Sequence, residues 1–357
     1  MTTPITLPRI INAAGHLSVL GGGVTRADLA REIAAAIERG LSSPVDMAWL
    51  KDEVSRRIAA HTGAEAGCVT TGAAAGIALS VAACVSGDSL DAVRQLPDAA
   101  NKPIVLQSGH DIDFGAPVVQ MIRMGGGAPV VAGSPSGVMP GDLQRSLEWS
   151  SALLFVQSHH VTAPGRLPLA TCIEAAHTAG KPVIVDAAAE EDLRKYVAAG
   201  ADLVIYSGGK ALGGLSSSGF VAGRADLVRA VRAQERGIGR PMKVGPEQLL
   251  SVAVALDAYG MRAGDDTAVI NAIESGLTGL TGAGIAIVDD EAGRAIRRVE
   301  VRTLRAAEVV ATLRSGTPPI YVRAHHASEG RFAIDPRNLT VEAATEVAAA
   351  VRRALEA

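Results

Sequence analysis

Short apolar runs alternate with helix-like segments from residue 67 to residue 223, and this alternation constrains the fold more than any other feature of the chain. The runs GCVTT, PIVLQ, APVVA, ALLFV, PVIVD and DLVIYS are five or six residues long and rich in Val, Ile and Leu. Between them lie AAAGIALSVAACV, APVVQMIRMG, LATCIEAAHTAG and EEDLRKYVAAG, all with helical patterning. Strands apolar on both faces must be covered on both faces, so the pattern predicts an α/β fold with a mainly parallel sheet between helices. Upstream, RADLAREIAAAIERG reads as an amphipathic helix with Thr25 as its N-cap and Gly40 as its stop.

The patterning changes after Pro246. Helical EQLLSVAVALDAYG leads to GAGIAIVDD, RVEVRTL, PIYVRAHH and RFAID, then to a closing helix VEAATEVAAAVRRALEA. Alternation in the four short runs predicts a small antiparallel sheet, hence a smaller α+β domain. The expected division is an N-terminal segment 1–60 that joins the small domain or a dimer contact, a large domain 61–245, and a small domain 246–357.

Composition narrows the function. A chain of 357 residues suits about two domains of ~150 residues. Acidic and basic residues, 37 against 34, leave a net charge of −3 with no basic run, which argues against a nucleic-acid partner. Cys68, Cys84 and Cys172 are scattered singly, so neither a disulfide framework nor a cysteine metal site is expected, and the reading is a metal-free cytoplasmic protein. The start MTTPITLPRIINAAG has no signal-peptide pattern, and the run AAAGIALSVAACV falls short of the ~20 residues that cross a membrane.

Three places carry chemistry. In VIYSGGKALGG, Lys210 follows a strand and is flanked by Gly208, Gly209, Gly213 and Gly214, which clear space for a flat ligand beside its amine. In VIVDAAAE, Asp186 ends a strand at the carboxyl edge of the sheet, where ligands of open α/β sheets bind; a helix cap over EEDLRKY is the lesser alternative. In VTTGAAAGI, a strand gives way at Gly72 to a helix start whose backbone N–H groups, with the Thr70 and Thr71 hydroxyls, suit a phosphate; tight packing on the sheet is the plainer reading. A phosphate cradle, a strand-end carboxylate and a lysine 24 residues beyond it together fit pyridoxal 5'-phosphate, which needs a lysine for its Schiff base and an acid for its ring nitrogen.

The blocks INAAG, TTGAAAGI, QSGHDIDFGAPVVQMI, VDAAAEEDL, YSGGKALGG, GIGRPMKVG and DPRNL resemble the selenocysteine-synthase-related group of fold-type-I pyridoxal-phosphate enzymes, and within it the D-glucosaminate-6-phosphate ammonia-lyase branch. The resemblance runs from Ile10 to Leu339. It implies the fold-type-I architecture, a seven-stranded, mainly parallel sheet domain with a smaller C-terminal domain. It also implies a homodimer or larger homo-oligomer.

By motif, Lys210 would carry the cofactor, Asp186 would pair with the ring nitrogen, and Thr71, Gly72 and Ala73 would cradle the phosphate with Ser207 beside them. His110 falls where the fold places a residue over the ring, and one of Gln157 and His159 is expected to touch cofactor or substrate. Arg323 is the expected clamp for a substrate carboxylate, and Arg240 with Lys243 would serve a distal phosphate or a neighbouring subunit.

The implied activity is a lyase that eliminates water and ammonia from a small 3-hydroxy-2-amino acid of the amino-sugar acid kind. Racemisation with His110 as second base, aldol cleavage and a non-catalytic cofactor-binding role are the alternatives. The chain departs from the branch's first motif at His16 and Gly23.

Overall fold

A computed structural model of the chain describes residues 5–98, 102–158, 161, 164–259 and 266–357. In chain order the strands are β1 (Ile11–Ala13), β2 (Ala66–Thr70), β3 (Lys102–Gln107), β4 (Gly127–Ala132), β5 (Ala152–Val156), β6 (Val183–Asp186), β7 (Leu203–Ser207), β8 (Gly219–Gly223), β9 (Gly284–Asp289), β10 (Arg297–Arg302), β11 (Ile320–Val322) and β12 (Arg331–Ile334). The first helices are α1 (Ala27–Leu41), α2 (Met47–Thr62) and α3 (Ala73–Ser86). Backbone contacts divide the chain into two units, residues 25–262 and residues 1–24 with 263–357.

In the larger unit a seven-stranded sheet has the order β2-β8-β7-β6-β5-β3-β4. Only β8 runs against its neighbours, pairing antiparallel with β2 and β7. Strand residues alternate between two cores. Val105, Leu153, Val185, Val204 and Phe220 face one, and Ile104, Leu154, Ile184, Ile205 and Val221 face the other. The six expected strands are all present.

The seventh strand, β8, is absent from the sequence expectation because it begins and ends in glycine, a residue that ordinarily weakens strands. Here both glycines answer to close packing. A Cβ on Gly219 would meet the Gly72 carbonyl carbon at 2.9 Å, and one on Gly223 would meet the Asp202 carbonyl carbon at 2.9 Å.

The helix α3 starts at Ala73 as expected and lies close to the sheet because Gly76 has no side chain; a Cβ there would sit 2.7 Å from Ile205 Cγ2. Other local expectations change. Arg26, not Thr25, occupies the N-cap of α1, and the Thr25 hydroxyl donates instead to the Gly213 carbonyl at 2.9 Å. The helix passes through Gly40 to Leu41, since a bare position at 40 makes room for Leu250. The segment EEDLRKYVAAG is helical only over Lys195–Ala198, its entry held by Asp192, which accepts from the Arg194 and Lys195 amides.

The division also differs from the expected one. Helix α2 and the helix Pro246–Asp257 belong to the larger unit because Leu50, Val54 and Ile58 share a core with Leu249, Val252 and Leu256. Apolar burial outweighs the change in patterning at Pro246.

In the smaller unit β9, β10 and β12 form the expected antiparallel sheet. The run PIYVRAHH departs from expectation: its strand β11 pairs in parallel with β1, Ile11 opposite Ile320. Two of the motif blocks clasp each other here. Asn12 and Asn338 both donate to the Gly15 carbonyl at 3.0 Å, and the Asp335 amide donates to the Ala13 carbonyl at 2.8 Å. Gly15 has φ +84°, and a Cβ on it would meet Asp335 Oδ2 at 2.7 Å. The helix Val341–Glu356 closes the unit, capped by the Thr340 hydroxyl.

Candidate active site

The strand directions bring the carboxyl ends of β2, β3, β5, β6 and β7 to one edge of the large sheet, together with the start of β8. That edge collects Thr71 to Ala73, His110, Gln157, Asp186, Ser207 and Lys210.

Asp186 is the last residue of β6, is 7% exposed, and uses Oδ1 to accept the Ala188 amide at 3.1 Å. This closes a tight turn and not a helix cap. Burial pushes its carboxyl up to about 6, while the nearby Lys210 charge pulls the other way. An acid in this state is poised to ionise fully when a cationic nitrogen arrives.

Lys210 follows β7 in a turn in which Gly214 donates to the Gly208 carbonyl at 2.7 Å and Gly213 to the Lys210 carbonyl at 3.0 Å. The glycines before Lys210 serve the chain itself as well as any ligand: a side chain at 208 would strike Ser218, and one at 209 would strike Ser216.

The start of α3 is shaped for an anion. Gly72 is its N-cap with φ +141°, a conformation that requires glycine, and no atom lies within 4 Å of where its Cβ would stand. Open space in front of the first amides of a 14-residue helix fits a phosphate. The Thr70 hydroxyl, expected to help, is fully buried and donates to the Gly72 carbonyl at 2.9 Å, so it braces the loop. Lysine, buried acid and open helix start are the donor set that pyridoxal phosphate requires.

Gln157 is half-buried at the end of β5, its amide donating to the Asp186 carbonyl at 2.9 Å, and Ser207 is half-buried at the end of β7. His159 lies outside the described residues. His110 lies deeper than expected. It is 1% exposed, accepts the Val156 amide on Nδ1 at 3.0 Å, and meets the Phe155 ring edge-on at 4.5 Å. Burial, with the Arg166 charge, pulls its imidazole down to about 4. These contacts hold the ring in the β3–β5 seam.

Arg240 is exposed on the short turn Arg240–Met242, and no hydrogen bond or ion pair ties its guanidinium to a described residue. Arg323 belongs to the smaller unit, where its backbone pairs with Ala333. Burial and the Arg298 charge bring its guanidinium down to about 10.

Sequence reasoning missed the contribution of β8, whose first residue Gly219 backs the helix start. It also missed Gln107, whose side chain pairs with the Leu167 backbone in both directions, at 2.8 and 3.1 Å.

No protein-family model matches the chain. Comparison with known proteins finds D-glucosaminate-6-phosphate ammonia lyase of Salmonella typhimurium 38% identical over 93% of this chain and 92% of that protein. A 5'-C-glycyluridine monooxygenase-decarboxylase of Streptomyces is 39% identical over 93% of this chain and 86% of that protein. Among solved structures, D-glucosaminate-6-phosphate ammonia-lyase superposes with a TM-score of 0.88 at 35% identity, covering 98% of this chain and 96% of that one.

Fold and site together define a fold-type-I enzyme that uses pyridoxal 5'-phosphate. The chain belongs to the family of D-glucosaminate-6-phosphate ammonia lyase. Among the described residues no helix is long and apolar enough to cross a membrane.

Proposed function

We propose that the chain is a lyase acting on a small 2-amino-3-hydroxy acid, with an amino-sugar acid such as D-glucosaminate 6-phosphate as substrate. The observation that carries the reading is the end-to-end similarity to the ammonia lyase, 38% identity over 93% of the chain. The water lost from C2 and C3 is regained when the carbon–nitrogen bond is hydrolysed, so the net products are a 2-oxo-3-deoxy acid and ammonia.

When bound, pyridoxal phosphate supplies an electron sink for the charge left when Cα loses its proton. Lys210 Nζ would be the attachment point for the cofactor and the base that takes the Cα proton. Asp186 would hold the ring-nitrogen end, its buried carboxyl serving as the ion partner that favours a protonated nitrogen. The amides of Gly72 and Ala73, with the Thr71 and Ser207 hydroxyls, hold the phosphate. Gln157 lines the same edge, Arg323 takes the substrate carboxylate through its planar fork, and Arg240 serves the distal phosphate. A cytoplasmic homodimer completes the proposal, supported by the family resemblance and by three cysteines that are all unpaired.

The similarity to the monooxygenase-decarboxylase supports a second reading, oxygen-dependent decarboxylation of a glycyl nucleoside. One experiment separates the readings. The cofactor-loaded enzyme is incubated with D-glucosaminate 6-phosphate in heavy water while ammonia, 2-oxo acid, oxygen uptake and Cα exchange are followed. Equal yields of ammonia and 2-oxo acid without oxygen uptake, absent in Lys210→Ala, support the lyase. Cα exchange with inversion and no ammonia selects a racemase. No turnover here, but oxygen consumption and CO2 release with a glycyl nucleoside, selects the second reading.

A further inference from the structure

We propose that Glu291, His325 and His326, in the smaller unit, form a binding site for a divalent cation of the zinc class. Glu291 lies in the turn between β9 and β10, and the two histidines lie in the turn between β11 and β12. The Glu291 carboxylate faces both imidazoles at once. Its Oε1 is 3.1 Å from His326 Nε2, and its Oε2 is 3.8 Å from His325 Nε2. One donor atom from each residue falls within 4.8 Å of the other two.

These spacings match the chemistry of a small cation. Ligands at the usual zinc distance of about 2.1 Å in a tetrahedron stand about 3.4 Å from one another. Two imidazoles and a carboxylate form a borderline donor set, which favours zinc, cobalt or nickel over magnesium or calcium. Behind the ligand His326, Nδ1 is shielded from solvent and, although it makes no hydrogen bond, stands 3.0 Å from Glu329 Oε1 as an ion-pair neighbour. A carboxylate behind a ligand imidazole is a recurrent device for fixing the ring and raising its basicity.

The turns that carry the donors are held in advance. Asp290, next to Glu291, accepts from Arg294 at 2.8 Å, from Arg298 at 2.6 Å and from the Ala292 amide at 3.1 Å. His326 anchors its own turn through its carbonyl, which accepts the Glu329 amide at 2.9 Å and the Arg331 amide at 3.2 Å. Arg331 competes for Glu291 at 3.4 Å, but it has Glu300 and Glu329 as further partners at 3.2 Å each. It can therefore release Glu291 without being left unpaired.

Three protein ligands leave a fourth position for water or a small anion, and all three line a cavity of about 210 Å³ together with Arg302, Arg323 and Arg331. Bound metal would tie the β9–β10 turn to the β11–β12 turn and so raise the stability of the folded chain by mass action.

The test uses the untagged, cofactor-loaded full chain, stripped with chelator and titrated with cobalt and then zinc. One equivalent of cobalt with the strong visible bands of tetrahedral coordination, displaced by zinc, together with a metal-dependent rise in Tm, supports the site. Glu291→Gln and His326→Ala should each weaken binding by at least about tenfold, and Glu329→Gln by a similar factor through ring orientation. His61→Ala, outside the cluster, should bind as the parent does. The metal-free Tm of each variant verifies that it folds. Absence of stoichiometric cobalt binding, or binding unchanged in both Glu291→Gln and His326→Ala, overturns the proposal.

Discussion

Gly219 stands directly behind Gly72: a side-chain carbon on the first would lie 2.9 Å from the carbonyl carbon of the second. The first residue of an antiparallel strand thereby sets the start of the helix proposed to hold the phosphate. Gly219→Ala should displace that start. Overpacking of this kind costs about 1–3 kcal/mol, so the expected effect is a rise of about tenfold or more in the Kd for pyridoxal phosphate, read from cofactor absorbance. A variant that melts earlier yet binds cofactor as tightly would separate Gly219 from the cradle.

Asp186 supplies a pH signature. In the cofactor-free protein its carboxyl is raised to about 6 by burial, so between pH 4 and pH 6 the folded chain keeps a proton that the unfolded chain has lost. Stability from this group is fully present below pH 4 and is lost as pH rises through 6, a swing of about 3 kcal/mol. Denaturant titrations across that window should show a falling contribution that Asp186→Asn lacks. In the loaded enzyme the same substitution should retain Lys210-linked cofactor and lower kcat by about a hundredfold or more, as expected when a group that stabilises developing charge is removed.

His110→Ala tests whether the imidazole serves packing or chemistry. The substitution leaves the Val156 amide, now accepted at 3.0 Å, without its partner in a buried seam. A loss of about 1–3 kcal/mol in unfolding free energy is expected, with Cα proton exchange persisting in the folded fraction. Abolished exchange at undiminished stability would restore His110 to the chemistry.

Asp335→Ala should be the most damaging single change in the smaller unit. Asp335 is fully buried, accepting from Arg298 at 2.8 Å and from Arg337 at 2.9 and 2.8 Å. Burial pushes its carboxyl up, and the Arg337 and Arg298 interactions overcome this and hold it well below the ordinary carboxylate range. Its stabilisation is therefore present above pH 4 and is lost as acid protonates it. Removing it takes a carboxylate partner from the buried Arg298, which keeps Asp290, and from the half-buried Arg337, for an expected cost of about 3 kcal/mol by equilibrium unfolding at neutral pH.

The sheet, and the placement of Asp186 and Lys210 at its edge, were legible because both depend on local signals. Apolar runs mark strands, and a residue that breaks such a run, as Asp186 does, or that follows it among glycines, as Lys210 does, is placed at the sheet edge by the strand itself. What was not legible depends on partners distant in sequence. The burial of His110 is decided by Phe155 and Val156, the strand at Gly219 by Gly72, and the pairing of β11 by residues 11–13. The Glu291, His325 and His326 cluster was missed for the same reason: two hairpin turns must close before its carboxylate meets its imidazoles.

The parallel pairing of Ile11 with Ile320, and the hold of Asn338 on Gly15, impose an order on assembly. A ribosome emits the opening segment long before its partners exist, so those residues must wait while the intervening 25–262 unit takes shape. The smaller unit can therefore close only once residues 320–338 have been made.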